Sequence, residues 1–226
     1  MDTDTGTRQR RRIPLPSYRI RPARTDELDV VLGLIDGAAA WLRAEKPATR
    51  QWNRPWPNPD GRRERVYEGL LNAETWLLFE EAPGTDPLGT DPLGGDPLGT
   101  EPIGTVTIRL VGHEELWTAR EREIDAVYLH RLVIERGHAG AGLGAELIDW
   151  AGRKGRSMLP TARLIRIDVW SDNGELHGYY KEQGFQHIAT RTTSDRSPSG
   201  AVFEKPIGPE PALPRIREAA REPQGS

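Results

Sequence analysis

Around residues 129–151 the chain passes from an apolar run, through a glycine-dense turn, into apolar residues at helical spacing. Val133 and Ile134 are β-branched and suit a buried strand, and Leu143, Leu147, Ile148 and Ala151 then follow the period of a helix. Near the start, Tyr18-Arg-Ile-Arg-Pro22 alternates apolar with basic residues and reads as a first strand. Thr25 is the expected N-cap of a helix that carries Leu28, Val31, Leu32, Ile35 and Ala39. A loop rich in Trp, Pro and Asn fills 47–61, and a short helix is expected over 62–72. Strands are predicted near 18–22, 75–80, 103–110, 124–134, 164–170, 184–191 and 200–206. The remaining helices are predicted near 26–44, 142–155 and 173–182. This alternation predicts an α/β (α+β) fold with one mixed, mostly antiparallel sheet of about seven strands, covered by helices on both faces.

The glycine turn is the first candidate site. Gly140, Gly142 and Gly144 carry no Cβ, so backbone can approach a ligand closely. The helix that follows offers unpaired N–H groups and the positive end of its dipole, which together suit a pyrophosphate. There is no Gly-Lys-Ser/Thr ending, which speaks against a nucleoside triphosphate loop. Gly140, Gly142 and Ala145 also fit the looser dinucleotide fingerprint, with Asp168 near the position of its ribose-binding acid. Against that reading, Asp168 lies inside the run Leu164–Trp170, and more than half the chain precedes the turn.

The segment after the next strand bears on the choice. Ser171-Asp-Asn-Gly-Glu-Leu-His-Gly-Tyr-Tyr-Lys-Glu-Gln-Gly-Phe185, taken with the glycine turn, resembles the GNAT superfamily of acyl-CoA-dependent N-acyltransferases. The family's Arg/Gln-x-x-Gly-x-Gly/Ala falls on Ala139–Gly144. Its Asn-x-x-Ala-x-x-x-Tyr-x-x-x-Gly-Phe falls on Asn173, Leu176, Tyr180, Gly184 and Phe185. Gln51-Trp52, Pro55-Trp56-Pro57, Glu74-Thr-Trp76, Leu116-Trp-Thr118 and Ser199–Phe203 are similar to an actinobacterial-type subgroup, so the resemblance covers residues 17–206 apart from one insertion. Ala139 stands where the family has Arg or Gln, which removes one side-chain contact to pyrophosphate, and Leu176 stands where it has Ala.

The resemblance implies a GNAT-like sheet with a splayed strand pair that holds acetyl-CoA as co-substrate, without a metal. The acyl carbonyl would meet backbone N–H groups of Leu132, Val133 and Ile134. The pyrophosphate would meet Ala139, Gly140, Ala141, Gly142, Leu143, Gly144 and Ala145. Asn173 takes the place of the residue that holds the pantetheine arm, though an asparagine there also suits a helix N-cap. Tyr180 takes the place of the general acid that protonates the departing thiolate; core packing is its alternative role, as it is for Tyr179. His130 has a side chain suited to a general base, but a lone His on an apolar strand is also a common core residue. Glu114, Glu115, Asp125 or a water chain compete for that role. Trp41, Trp52, Trp56 and Trp117 lie in segments that form the acceptor side in the family, and together suggest an aromatic pocket with cation–π reach to an amine. The expected activity is direct transfer of an acetyl group to a primary amine of a small molecule. The alternatives are a domain that binds acyl-CoA without catalysis, or a dinucleotide or S-adenosylmethionine enzyme using the same loop.

Composition narrows the partners. A formal net charge of −3 over 226 residues gives no reason to expect nucleic acid or an anionic membrane surface. The basic run Arg8–Arg12 reads as part of a disordered tail over 1–16. The absence of cysteine excludes disulfides, thiolate catalysis and zinc–thiolate sites, and fits a cytoplasmic location. No apolar run approaches the length of a membrane span and no signal peptide is visible behind Met1. The acetyltransferase domain is expected over 17–207, as a monomer or homodimer. It is interrupted at 84–104 by a repeat of Gly-Thr-Asp-Pro-Leu type, whose regular Pro and Gly suit an expanded hairpin loop. Residues 208–226 are expected to be a disordered tail, with a helical turn or two conceivable at 215–221.

Overall fold

The computed structural model describes residues 16–47, 59–81, 101–140, 142–195 and 197–219. In chain order the elements are β1 (Tyr18–Pro22), α1 (Leu28–Glu45), α2 (Pro59–Leu71), β2 (Thr75–Glu80), β3 (Gly104–Arg109) and α3 (Ala119–Arg122). They continue with β4 (Ala126–Ile134), α4 (Leu143–Met158), β5 (Leu164–Val169), α5 (Gly174–Glu182), β6 (Gln186–Thr190), β7 (Ala201–Pro206) and β8 (Ile216–Glu218). All eight strands form one sheet in the order β6-β7-β5-β4-β3-β2-β1-β8. The pairs β4–β5 and β1–β8 are parallel and the others antiparallel.

Strand alternation divides the core between the two faces of the sheet. Trp76 and Leu78 of β2, with Val127 and Leu129 of β4, pack with Leu143, Leu147 and Ile148 of α4 and with Tyr180 of α5. Leu77 and Phe79 point the other way, onto Val31 and Ile35 of α1 and Val66 and Leu70 of α2. A third cluster joins Trp117 to Ala126, Tyr128 and Val202. At its centre lies Arg166, 1% exposed, whose guanidinium bonds Glu204 at 3.0 Å, Tyr128 Oη at 3.0 Å and the Glu121 carbonyl at 2.8 Å beneath the Trp117 ring.

The predicted class and most of the elements are present, with three differences. Thr25 does not cap α1: it opens a short 3-10 turn, and Glu27 closes that turn by accepting from the Arg24 N–H and from Arg21. The four-residue α3 was not expected. It exists because Thr118 and Glu121 form a reciprocal capping box. The tail is not uniformly without structure, and residues 215–219 are not helical. Residues 216–218 add an eighth strand beside β1, with Ile216 buried and Arg215 and Glu218 paired to Glu146 and Lys154 of α4. Residues 1–15 of the expected tail at 1–16 and residues 84–100 of the repeat at 84–104 lie outside the described residues. The hairpin ends that flank the repeat do meet, with the Ile103 N–H donating to the Leu78 carbonyl at 2.8 Å.

Candidate active site

The parallel pairing of β4 with β5 runs from Ala126↔Leu164 to Leu129↔Ile167 and stops there. Beyond that point β4 stays bound to β3 as far as Ile134, and β5 stays bound to β7 as far as Val169. The two strands diverge, so residues 130–134 of β4 face a slot rather than a neighbouring strand. A cavity of about 550 Å³ occupies this slot, and Leu132, Val133, Ile134, Asn173 and Tyr180 all line it. β4 changes from buried to half-buried where the pairing ends.

A bulge marks the same place. Thr107 pairs with His130 and Thr105 with Val133, so Arg131 and Leu132 together oppose a single residue of β3. Arg131 adopts φ 51°, the left-handed region, which costs a non-glycine residue about 1–3 kcal/mol. Strain of that size at the mouth of a cavity is typical of functional sites.

His130 and Asp168 face each other across the point of divergence, Nδ1 to Oδ1 at 3.5 Å, and both line the cavity. Burial pulls the His130 pKa below its ordinary 6.5, while the Asp168 carboxylate works in the opposite sense. The imidazole is therefore neutral near pH 7 and able to accept a proton. Burial pushes the Tyr180 phenol well above its ordinary range, and Tyr179 and Asp168 act in the same direction. Its ring packs edge-on against Tyr179 and Phe185, and among the described residues its hydroxyl has no hydrogen-bond partner.

The glycine turn lies between β4 and the start of α4, and neither Gly140 nor Gly142 is among the residues that line the cavity. Gly140 and Gly142 take φ of 88° and 75°, and Gly142 is the N-cap of α4. Nothing within 4 Å opposes a Cβ at either position, so the backbone there is open to a ligand. Gly144 has a different reason to be glycine: a Cβ there would stand 2.6 Å from the Tyr179 hydroxyl. Ala139 is exposed, Ala145 is half-buried, Leu143 is a core residue, and Ala141 lies outside the described residues. Asn173 is the N-cap of α5, accepting from the Leu176 N–H at 3.0 Å, and lines the slot as well.

The tryptophans separate. Trp41 lines the cavity with its ring 3.4 Å from the Arg136 guanidinium, whereas Trp117 is fully buried against Tyr128 and Arg166 and does not reach the cavity. Trp52 and Trp56 lie outside the described residues. Glu114 pairs with Arg122, Glu115 bonds the Ser194 N–H, and Asp125 accepts from Thr161; none of these three lines the cavity. Asp168 was read in the sequence only as a ribose-binding acid. Its partnership with His130 was within reach, since both lie near the divergent ends of two parallel strands. Arg131 carried no signal in the sequence, because the bulge that aims it depends on β3.

A slot between diverging parallel strands, with His130, Asp168, Asn173 and Tyr180 gathered in it, defines the candidate site. The chain belongs to the acetyltransferase (GNAT) family, whose model it matches over residues 47–185. It is 32% identical over 99 residues to the uncharacterized N-acetyltransferase YesJ of Bacillus subtilis (strain 168), a match covering 44% of this chain and 46% of YesJ, so it spans about half the length of that relative. A GNAT-family acetyltransferase from Listeria monocytogenes 4b F2365 shares the fold with a TM-score of 0.56 at 18% identity, over 84% of this chain and 95% of its own. The PaiA N-acetyltransferase from Thermoplasma acidophilum, solved in complex with coenzyme A, does so with a TM-score of 0.52 at 15% identity, over 84% of this chain and 99% of its own.

Among the described residues no helix is long and apolar enough to cross a membrane, and no group of His, Cys, Asp and Glu could hold a metal ion.

Proposed function

We propose that this chain transfers an acetyl group directly from acetyl-CoA to the primary amine of a small molecule. The observation that carries the proposal is the slot between β4 and β5, which brings His130, Asp168, Asn173 and Tyr180 into one cavity. The pyrophosphate lies on the backbone of the Gly140–Gly142 turn, and the pantetheine arm runs along the free edge of β4 towards Asn173. We also place the chain in the actinobacterial-type subgroup, on its tryptophan-bearing segments.

The chemistry then follows from the charges that must move. The neutral amine attacks the thioester carbonyl and a C–N bond forms. Backbone N–H groups of Leu132–Ile134 stabilise the oxyanion. The amine proton passes to His130 Nε2, because Nδ1 is turned to Asp168, which positions the ring. As the C–S bond breaks, Tyr180 donates its proton to the thiolate. A phenol held protonated by burial is a weak acid in isolation, yet the same burial raises the thiolate's affinity for a proton, so the two remain matched.

The test is incubation of the full chain with acetyl-CoA and a panel of primary amines, following free CoA thiol and the acetylated product by mass. Stoichiometric thiol and amide are expected. Acetyl-CoA binding with no amide from any amine would replace this reading with that of an acyl-CoA-binding domain.

A further inference from the structure

We infer that the acceptor amine carries an anionic group close to its nitrogen, held by Arg131. The inference rests on the acetyltransferase reading and goes further by naming the acceptor's chemistry.

Cations dominate the cavity. Arg62, Arg65, Arg131 and Arg136 line it, and among the described lining residues Asp168 is the sole acid. Their neighbours distinguish these arginines. Arg62 pairs with Asp36 at 2.7 Å, and Arg136 lies over the Trp41 ring next to the glycine turn. Arg109, on β3, pairs with Glu74 at 3.1 Å. Arg131 has no ion pair or hydrogen bond among the described residues, although it is half-buried. Arg65, exposed at the cavity wall, acts electrostatically on both Arg131 and Asp195. Burial, followed by the fields of Arg109, Arg65 and Arg62, lowers the Arg131 pKa to about 10, with Glu74 opposing. The guanidinium remains charged near pH 7, so a cation is held against repulsion with no counter-ion paired to it among the described residues.

The backbone reinforces this. The bulge and the left-handed φ of Arg131 bring its side chain to the same cavity as His130, the residue before it. On a regular strand consecutive side chains point to opposite faces. The base and the guanidinium therefore address one small molecule, with the amine at His130 and Asp168 and the anion at Arg131. A guanidinium fork suits a carboxylate or a phosphate, so an amino acid and a phosphorylated amine share the chemistry. It opposes a polyamine.

Steady-state acetylation with purified full chain tests this. The panel pairs β-alanine, glutamate and phosphoethanolamine with propylamine and ethanolamine, which carry no charged group besides the amine, and with putrescine, which carries a second cation. The first three should exceed the others in kcat/KM by about 100-fold, and the ranking among them separates carboxylate from phosphate. Arg131→Asn, whose side chain tolerates the left-handed backbone, should lower that preference about 100-fold while leaving the Kd for acetyl-CoA unchanged. Calorimetry supplies an arm that does not depend on turnover: glutarate or inorganic phosphate should bind the wild-type chain with CoA present and not bind Arg131→Asn. A preference for putrescine, an equal loss with every amine, or equal anion binding by the two proteins overturns the inference. If no amine is acetylated, the acetyltransferase reading fails separately, and the calorimetric arm still decides whether Arg131 binds anions.

Discussion

Gly142 and Gly37 offer a paired test of how the acetyl-CoA cradle is built. At both positions a Cβ would meet no atom within 4 Å, so steric crowding drops out of the comparison. They differ in backbone. Gly142 caps α4 at φ 75°, where an L side chain costs about 1–2 kcal/mol. Gly37 lies inside α1, where alanine is better than glycine by about 0.5–1 kcal/mol. For a chain of this size the melting temperature moves about 2–4 °C per kcal/mol. Gly142→Ala should then melt about 2–8 °C below the wild type, and Gly37→Ala about 1–4 °C above it. Titration calorimetry adds the functional half. Gly142→Ala places a methyl where the pyrophosphate must approach, so acetyl-CoA affinity should fall at least tenfold, about 1.4 kcal/mol, while Gly37→Ala binds as the wild type does. A Gly142→Ala protein that melts no lower than the wild type would refute the left-handed cap. A folded one with unchanged affinity would refute the placement of the pyrophosphate.

Four further outcomes follow from the packing and the charges. The base form of His130 gains as pH rises through its pKa, which burial sets below 6.5, so the transfer rate should rise with pH on that limb. Asp168→Asn removes the charge that raises that pKa, so the limb should move to lower pH and the plateau rate should fall; a limb moving to higher pH would contradict the pairing. Arg166→Met strands Glu204 and the Tyr128 hydroxyl and should cost about 3 kcal/mol in urea unfolding, where a neutral result would mean that the buried cation is dispensable. Truncation after residue 212 removes buried Ile216 and the pairs Arg215–Glu146 and Lys154–Glu218, and should cost about 2–3 kcal/mol by the same assay; an unchanged midpoint would show that β8 adds nothing.

Much of this architecture was legible because it rests on local patterns. The apolar spacing of Leu143, Leu147, Ile148 and Ala151 specifies α4 without reference to the rest of the chain, and all four are buried. Asn173 could be read as an N-cap from its place before a helix, and it is one. What escaped depends on distant partners. Ile216–Glu218 is too short to show a period, and becomes a strand only because the edge of β1 is open beside it. Trp117 looked like an acceptor-side aromatic, whereas Arg166 and Tyr128 draw it into the core. Arg131 and Asp168 are ordinary in the sequence; the bulge opposite Val106 and the divergence of two strands give them their positions.

The central claim is that the acetyl group passes directly from CoA to an amine while Tyr180 protonates the thiolate. Tyr180→Phe keeps the ring and its contacts with Tyr179 and Phe185, so melting temperature and acetyl-CoA affinity should change little. The decisive measurement is single-turnover transfer by rapid quench, with an amine from the acceptor panel saturating and acetyl-CoA prebound. The account predicts that the variant forms amide roughly 10²-fold more slowly than the wild type. Transfer at the wild-type rate would contradict it and remove Tyr180 from the mechanism.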